Sequence, residues 1–378
     1  MSAKKYETVI IGAGISGLAC AEHLNKNGED FLIISKDIGG RILTSEDGNV
    51  NYGAFFVCSD YHNVLKYVTL KSRIRLRDFC FHEKNYNYAL FEPKILLYAS
   101  QFLKIKKILN KFRKKLRILR KNSAFISQKQ AIENDSFLYE IYMQKAPNFI
   151  NNYNLKTGTD VYLSKALYST TFSTIHEMNA FSFVQFLIPL ITPIYTFKFE
   201  KNRMIQPFYD KIIIGEATDI QYKNRQYKIK YNNTLVYANN IVLATQIEWS
   251  KHFADVKRIN KPIDTNMLHI MGRPRDTIQR KKYHLFQPKN NIQSIADLMD
   301  GTYLLYYKKQ HPNLSKFFIS SKILSYKHWN PAGTINGHNL IEANRGKNMY
   351  LIGDYNIAGL EEAYITGIYS ANQIIQKQ

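Results

Sequence analysis

Cysteine is scarce in this chain of 378 residues: three occur, Cys20, Cys58 and Cys80, with no CxxC and no histidine at ligand spacing beside them. Neither a disulfide framework nor a zinc module is encoded, so no metal centre is expected. The ten histidines stand singly, without HxxxH or HExxH. No apolar run reaches the roughly eighteen residues of a membrane-crossing helix, and the first residues lead straight into a strand-like stretch rather than a targeting segment. A cytoplasmic protein, soluble or peripheral at a membrane, is expected. Acidic residues are also short, 30 Asp plus Glu against 52 Lys plus Arg, which leaves +22 at pH 7 and directs attention to acidic partners.

What is present begins at residue 6. Tyr6 to Ile11 ends in a β-branched apolar run of the kind a parallel strand buried on both faces shows. The turn Gly12-Ala13-Gly14-Ile15-Ser16-Gly17 follows, then a helical pattern (Leu18, Ala19, Ala21, Leu24) that stops near Gly28, then a second apolar strand from Asp30 to Ser35. This is a βαβ unit with GxGxxG between strand and helix. Gly12 permits the tight turn, Gly14 lets a pyrophosphate approach the backbone, and Gly17 allows close helix–strand packing. The helix start at Ile15 and Ser16 offers free N–H groups and a positive dipole end. The acid that usually reads a ribose at the end of the second strand is missing; Ser35 stands there and is its expected substitute, with Asp37 as the alternative.

Further along, Gly39-Gly40-Arg41 resembles the GGR signature of the flavin-containing amine oxidase superfamily, which also includes protoporphyrinogen oxidases, phytoene desaturases and renalase-like oxidoreductases. Three more segments resemble it in order. Asn51 to Phe56, with Gly53, Ala54 and Phe55, is similar to the stretch that runs under the flavin ring. Ala217, in Glu216 to Ile220, and Ala244, in Val242 to Thr245, fall where such proteins contact adenine and return a strand to the cofactor. Tyr350 to Asp354, followed by Gly359 to Gly367, is similar to the C-terminal flavin motif and contains Gly353, Asp354, Glu361, Glu362 and Ala363. The resemblance implies non-covalent FAD and hydride transfer from a small organic substrate to flavin N5, with oxygen or another acceptor reoxidising the flavin. Arg41 is then a fixed cation for the pyrophosphate, Asp354 an acceptor for ribityl hydroxyls, and the helix start near Leu360 a favourable environment for charge on the reduced ring.

Departures from the family pattern bear on the substrate. The strand expected to carry a lysine near N5 offers His269, and the stretch that is usually GGM reads Lys201-Asn202-Arg203-Met204. His269 and Arg203 are therefore the catalytic candidates, and a non-amine, apolar substrate is entertained beside an amine. No second glycine-rich turn marks an NAD(P)H site.

The expected fold is α/β: a Rossmann-like FAD-binding domain assembled from 1–60, 200–262 and 331–378, with an inserted α+β substrate domain, a helical part plus an antiparallel sheet, from 61–199 and 263–330. Lys104 to Lys121 holds ten basic residues and no acidic one, with Ile105, Ile108, Leu109, Phe112, Leu116 and Leu119 at helical spacing. This cationic amphipathic helix reads either as an exterior helix whose apolar stripe is core or as a surface for acidic lipid. Nucleic acid has least in its favour, because no aromatic-interleaved groove accompanies the charge. The alternative to an enzyme is a non-catalytic flavin-binding or scaffold protein that docks through this helix. Oligomeric state is not encoded in any motif.

Overall fold

A computed structural model describes residues 4–84, 86–279 and 281–377. Its first sheet is built on the strand Lys4–Gly14, which pairs in parallel with Phe31–Gly39 on one side and with Thr234–Leu243 on the other. The strand Ile212–Ile214 continues the sheet in parallel beyond Phe31–Gly39. Thr234–Leu243 serves two partners along one edge: the antiparallel strand Gln226–Tyr231 near its start, and the parallel Met349–Leu351 near its end. Val9, Ile10, Ile33, Ile34, Val242 and Leu243 are all buried, which is why these strands read as continuous apolar runs. The helices Ile15–Lys26 and Leu360–Ile375 pack side by side on this sheet, and a Cβ on Gly367 would lie 2.3 Å from the Ser16 carbonyl oxygen. Only glycine permits that approach.

The second large sheet runs, in spatial order, Phe318–Asn336, Lys261–Pro274, Thr302–Tyr307, Ile292–Asp297, Tyr283–Leu285, Phe79–His82 and Asn87–Ala89. Every pairing in it is antiparallel except one, the three-residue parallel junction of Tyr283–Leu285 with Phe79–His82. A third sheet of Val57–Cys58, Ile194–Phe199 and Val68–Ile74 lies between the two larger ones in the chain path. The 19-residue edge strand Phe318–Asn336 is exposed over its first part and buried at Thr334, Ile335 and Asn336.

Helices fill the stretch from 99 to 186. The basic segment is one helix, Ala99–Asn122, and its residues Ile105, Leu109, Phe112, Leu116 and Leu119 are buried in the core of the helical lobe against Phe181, Phe149 and Ile132. The apolar stripe therefore belongs to the interior and is not a lipid-facing surface. Its outward faces carry the lysines; Phe91, Leu96 and Leu97 just before it and Leu103 near its start are each about two-thirds or more exposed. Among the described residues no helix is long and apolar enough to cross a membrane.

Candidate functional site

The glycine turn takes the shape its spacing demands. Gly12 has φ +104°, and a Cβ there would meet the Ala244 carbonyl oxygen at 2.6 Å; one on Gly17 would lie 2.0 Å from the Gly12 oxygen. Gly14 differs, since a Cβ placed on it meets nothing within 4 Å. The helix that follows has no side-chain N-cap and no acidic residue in its first turn, so its positive end is not neutralised from within the helix. Ala244 donates its N–H to Ile11 at 2.8 Å and closes the far side of the turn.

Gly40 lies against Gly14, its would-be Cβ 3.3 Å from the Gly14 Cα, and so carries Arg41 to the same place. There the Arg41 guanidinium forks onto Asp354, Nη1 to Oδ2 at 2.7 Å and Nη2 to Oδ1 at 2.5 Å, across 313 residues of sequence. Arg41 Nη1 also donates to the Ala332 carbonyl at 3.4 Å, and Thr334 Oγ1 to the Asp354 carbonyl at 3.3 Å. Gly353 precedes with φ +148°, under the ring of Tyr355, whose hydroxyl donates to Thr245. Burial raises the Tyr355 pKa, so it stays a neutral donor. Both carboxylate oxygens of Glu248, on the short helix Ile247–Ser250, are buried and have no partner.

Other expected contacts are engaged within the chain. Ser35 Oγ accepts from the Ala13 N–H at 3.0 Å and donates to the Asp37 carbonyl at 2.6 Å, which ties the second strand to the glycine turn and leaves one lone pair for a ribose hydroxyl. Asp37 itself stands exposed on this strand end. Glu361 accepts from the N–H groups of His62, Asn63 and Val64 at 2.9 to 3.1 Å and holds that loop on the C-terminal helix. Glu362, 1% exposed, receives Arg120 Nε and Nη2 at 3.0 and 2.7 Å. Burial pushes the Glu362 carboxyl up and the Arg120 charge beside it works the other way. Ala363 lies in the same buried first turn, its N–H bonded to the Gly359 oxygen at 3.0 Å. Ala217 opens the strand Ala217–Lys223, opposite Tyr231.

A GxGxxG turn between a parallel strand and a helix implies a dinucleotide, and the cradle fits one. Gly14 faces free space, the helix end beyond it is uncapped, Arg41 supplies a cation beside it, and the unpartnered Glu248 oxygens with Asp354 offer acceptors for hydroxyls. Binding a pyrophosphate there requires Arg41 to exchange at least part of its Asp354 contact.

Beyond this cradle lies a cavity of about 440 Å³, bordered by Asn51 and Phe55 of the segment that follows Arg41 and by charged residues of both signs: Lys71, Lys282, Asp47, Asp297 and Asp300. The Gly53-Ala54 turn reaches it by hugging Arg41: the Ala54 N–H donates to the Arg41 carbonyl at 3.0 Å, and a Cβ on Gly53 would collide with that oxygen at 2.2 Å. Trp329 packs on the same glycine, with its indole Nε1 buried and unpartnered. His269 borders the cavity from the strand Lys261–Pro274; its Nδ1 lies 3.4 Å from the Tyr52 hydroxyl, and its Nε2 is buried without a partner. Burial lowers the His269 pKa, so the ring is neutral at pH 7. Asp297 is shifted the opposite way by burial, toward its protonated form. Arg203 sits elsewhere, exposed on the short helix Lys201–Ile205, and does not border the cavity.

Sequence reasoning passed over a cluster that the second sheet assembles. Cys80 and His82 alternate onto one face of Phe79–His82, and Cys80 stands opposite His284 in the parallel junction, so the ligand atoms of all three lie within 4.8 Å of one another. The expectation that no histidine accompanies a cysteine at ligand spacing thus fails at Cys80-Phe81-His82, where i and i+2 on a strand share a face.

Comparison with known proteins agrees with this architecture. Residues 10–69 match the model of the NAD(P)-binding Rossmann-like domain. No curated protein matches the sequence. Among solved structures, a putrescine oxidase double mutant superposes with a TM-score of 0.69 at 11% identity, covering 99% of each chain. The conjugated-linoleic-acid-producing fatty acid isomerase of P. acnes gives 0.69 at 13% identity over 98% of each. Cyclohexylamine oxidase from Brevibacterium oxydans gives 0.65 at 12% identity, covering 98% of this chain and 99% of that one. The chain shares the fold of these proteins: a Rossmann-like unit joined to a sheet-and-helix lobe.

Proposed function

We propose that this chain is an FAD-dependent oxidoreductase that holds the cofactor non-covalently and oxidises or desaturates a small organic molecule in the cavity beside Phe55 and His269. The observation that carries the reading is the meeting of Arg41 and Asp354 against an open Gly14 and an uncapped helix end. Bound FAD supplies a two-electron acceptor for a hydride from a substrate carbon. The glycine turn and Arg41 hold the pyrophosphate, Asp354 and Glu248 take hydroxyls, and Trp329 Nε1 is a spare donor beside Gly53. The walls of the cavity orient the substrate and limit water. Neutral His269 contributes a hydrogen-bonding nitrogen at Nε2, positioned through Tyr52.

Charges of both signs around the cavity favour a polar, charged substrate over the apolar one entertained from sequence. Lys71 and Lys282 suit an anionic group, and Asp47, Asp297 and Asp300 suit a cationic or hydroxylated one. The purified protein should be yellow, or become so with FAD, and should bleach anaerobically with its substrate. A chain that stays colourless in excess FAD overturns the reading, and a flavin that resists every substrate supports the scaffold alternative.

A second reading concerns location. Phe91, Leu96, Leu97 and Leu103 form an exposed apolar ridge that runs into the lysines of Ala99–Asn122, of which Lys104, Lys106, Lys107 and Lys114 are exposed. Apolar side chains flanked by cations match the interface of an anionic bilayer, where each basic residue contributes about 1 kcal/mol. The ridge, rather than the helix's buried stripe, is the lipid-facing element of this reading.

A further inference from the structure

We propose that Cys80, His82 and His284 form a three-ligand Zn2+ site that clamps the parallel junction of the substrate-lobe sheet and leaves a fourth position open to water.

The donors come from two strands whose register fixes them. Cys80 and His284 are direct partners across the junction, and His82 projects from the same face two residues on. Their ligand atoms already lie within 4.8 Å of one another. His82 Nε2 is 2.8 Å from His284 Nδ1, and His284 Nε2 is 3.0 Å from the Lys281 carbonyl oxygen. A carbonyl only accepts, so His284 carries its proton on Nε2 and presents a bare lone pair at Nδ1. That is the outer-sphere arrangement of metal-bound imidazole, where the non-ligating nitrogen donates to a backbone carbonyl. The His82 ring is held flat on Phe286, with centroids 4.5 Å apart and planes at 17°. Both histidines are buried, and Cys80 is half-buried, so one side remains reachable.

Thiolate with two imidazoles is a borderline-soft set that suits Zn2+, with bonds of about 2.3 Å to sulfur and about 2.0–2.1 Å to nitrogen. Tetrahedral placement at those lengths needs the two nitrogens to part by about half an ångström and His82 to move its proton to Nδ1. Binding releases the Cys80 thiol proton to solvent. Among the described residues no fourth His, Cys, Asp or Glu joins the group. The location gives the ion a purpose. A three-residue parallel pairing is the shortest link between Phe79–Ala89 and the rest of the sheet, and its other face carries Phe79 and Tyr283, which pack on each other 5.3 Å apart behind Phe55. Tyr283 borders the cavity. Metal on the opposite face would hold that wall in register.

The test uses the full chain stripped with a chelator and titrated with Co2+, then with Zn2+. One Co2+ per chain is expected, with a thiolate-to-metal charge-transfer band in the near ultraviolet and the visible bands of four-coordinate Co2+, both displaced by stoichiometric Zn2+. Cys80→Ser should abolish the charge-transfer band, His284→Ala should weaken binding at least tenfold, and Cys58→Ser should change neither. His82→Gln is run beside Cys80→Ser to separate loss of a ligand from loss of stability, and Zn2+ should raise the melting temperature of wild type and of neither variant. Absence of a stoichiometric band in folded wild type, or a charge-transfer band that survives Cys80→Ser, overturns the proposal. None of these readouts needs FAD or turnover.

Discussion

Arg120 Nη2 lies 2.7 Å from Glu362 Oε1, and this buried pair, with Asp60 Oδ1 3.7 Å from Arg120 Nη1, fastens the basic helix to the first turn of the C-terminal helix 242 residues away. The two side chains are 13% and 1% exposed, so neither charge has water to fall back on. Nine of the ten cations in Lys104–Lys121 serve the surface or its fringe; Arg120 alone turns inward to meet a glutamate that the family motif would otherwise assign to the cofactor.

Arg120→Met should therefore cost about 3–5 kcal/mol in denaturant unfolding, because it strands Glu362 without its counter-charge. Adding Glu362→Met should recover part of the loss, since it removes the stranded carboxylate while Asp60 stays without Arg120. Unchanged stability in the single variant would show that the pair is not the fastening.

Gly14 and Gly17 separate cofactor binding from folding. Gly14 has φ −73°, ordinary for any residue, and nothing stands within 4 Å of its would-be Cβ. Gly14→Val should leave the melting temperature nearly unchanged while abolishing FAD retention on gel filtration. Gly17→Val drives a Cβ into the Gly12 carbonyl and should destabilise the chain itself. Equal FAD content in wild type and Gly14→Val would remove the cradle from consideration.

Leu96→Glu with Leu97→Glu should lower sedimentation with phosphatidylserine vesicles severalfold, without altering the melting temperature, as both residues are about three-quarters exposed. Raising salt should weaken the wild-type association as well, through the lysines. Binding that ignores both changes would place the contact elsewhere.

His269 gives a pH dependence with a defined sign. Its folded pKa is depressed by burial, so below about 6.5 the unfolded chain takes up a proton that the folded chain refuses. The contribution is present above that pH and is lost as pH falls toward the folded value. Wild type should thus lose melting temperature more steeply than His269→Asn between pH 7.5 and 5. Parallel slopes would mean that the ring is already hydrated in the folded state.

The parts of this molecule that sequence made legible are local. The βαβ unit announced itself because strand, glycine turn and helix are contiguous, and Gly353-Asp354 did so for the same reason. His269 could be placed on a strand of the expected substrate lobe, and it borders the cavity. Arg203 could not be placed, since whether a loop cation faces a cavity depends on packing that no period records; it stands exposed. The Cys80–His82–His284 cluster needs the register between two strands about 200 residues apart, and only the Cys80-Phe81-His82 alternation is visible beforehand. Ser35 was expected at the end of the second strand, but the strand continues to Gly39, and its bonds to Ala13 and Asp37 depend on that continuation.

The edge strand Phe318–Asn336 starts on the buried Phe318, is exposed from Ile319 to Leu324, and near its far end carries Ala332 and Thr334, whose polar atoms touch Arg41 and the Asp354 backbone. One strand thus joins the exposed margin of the second sheet to the Arg41–Asp354 pair, so a substitution that displaces that margin should also be felt by the guanidinium.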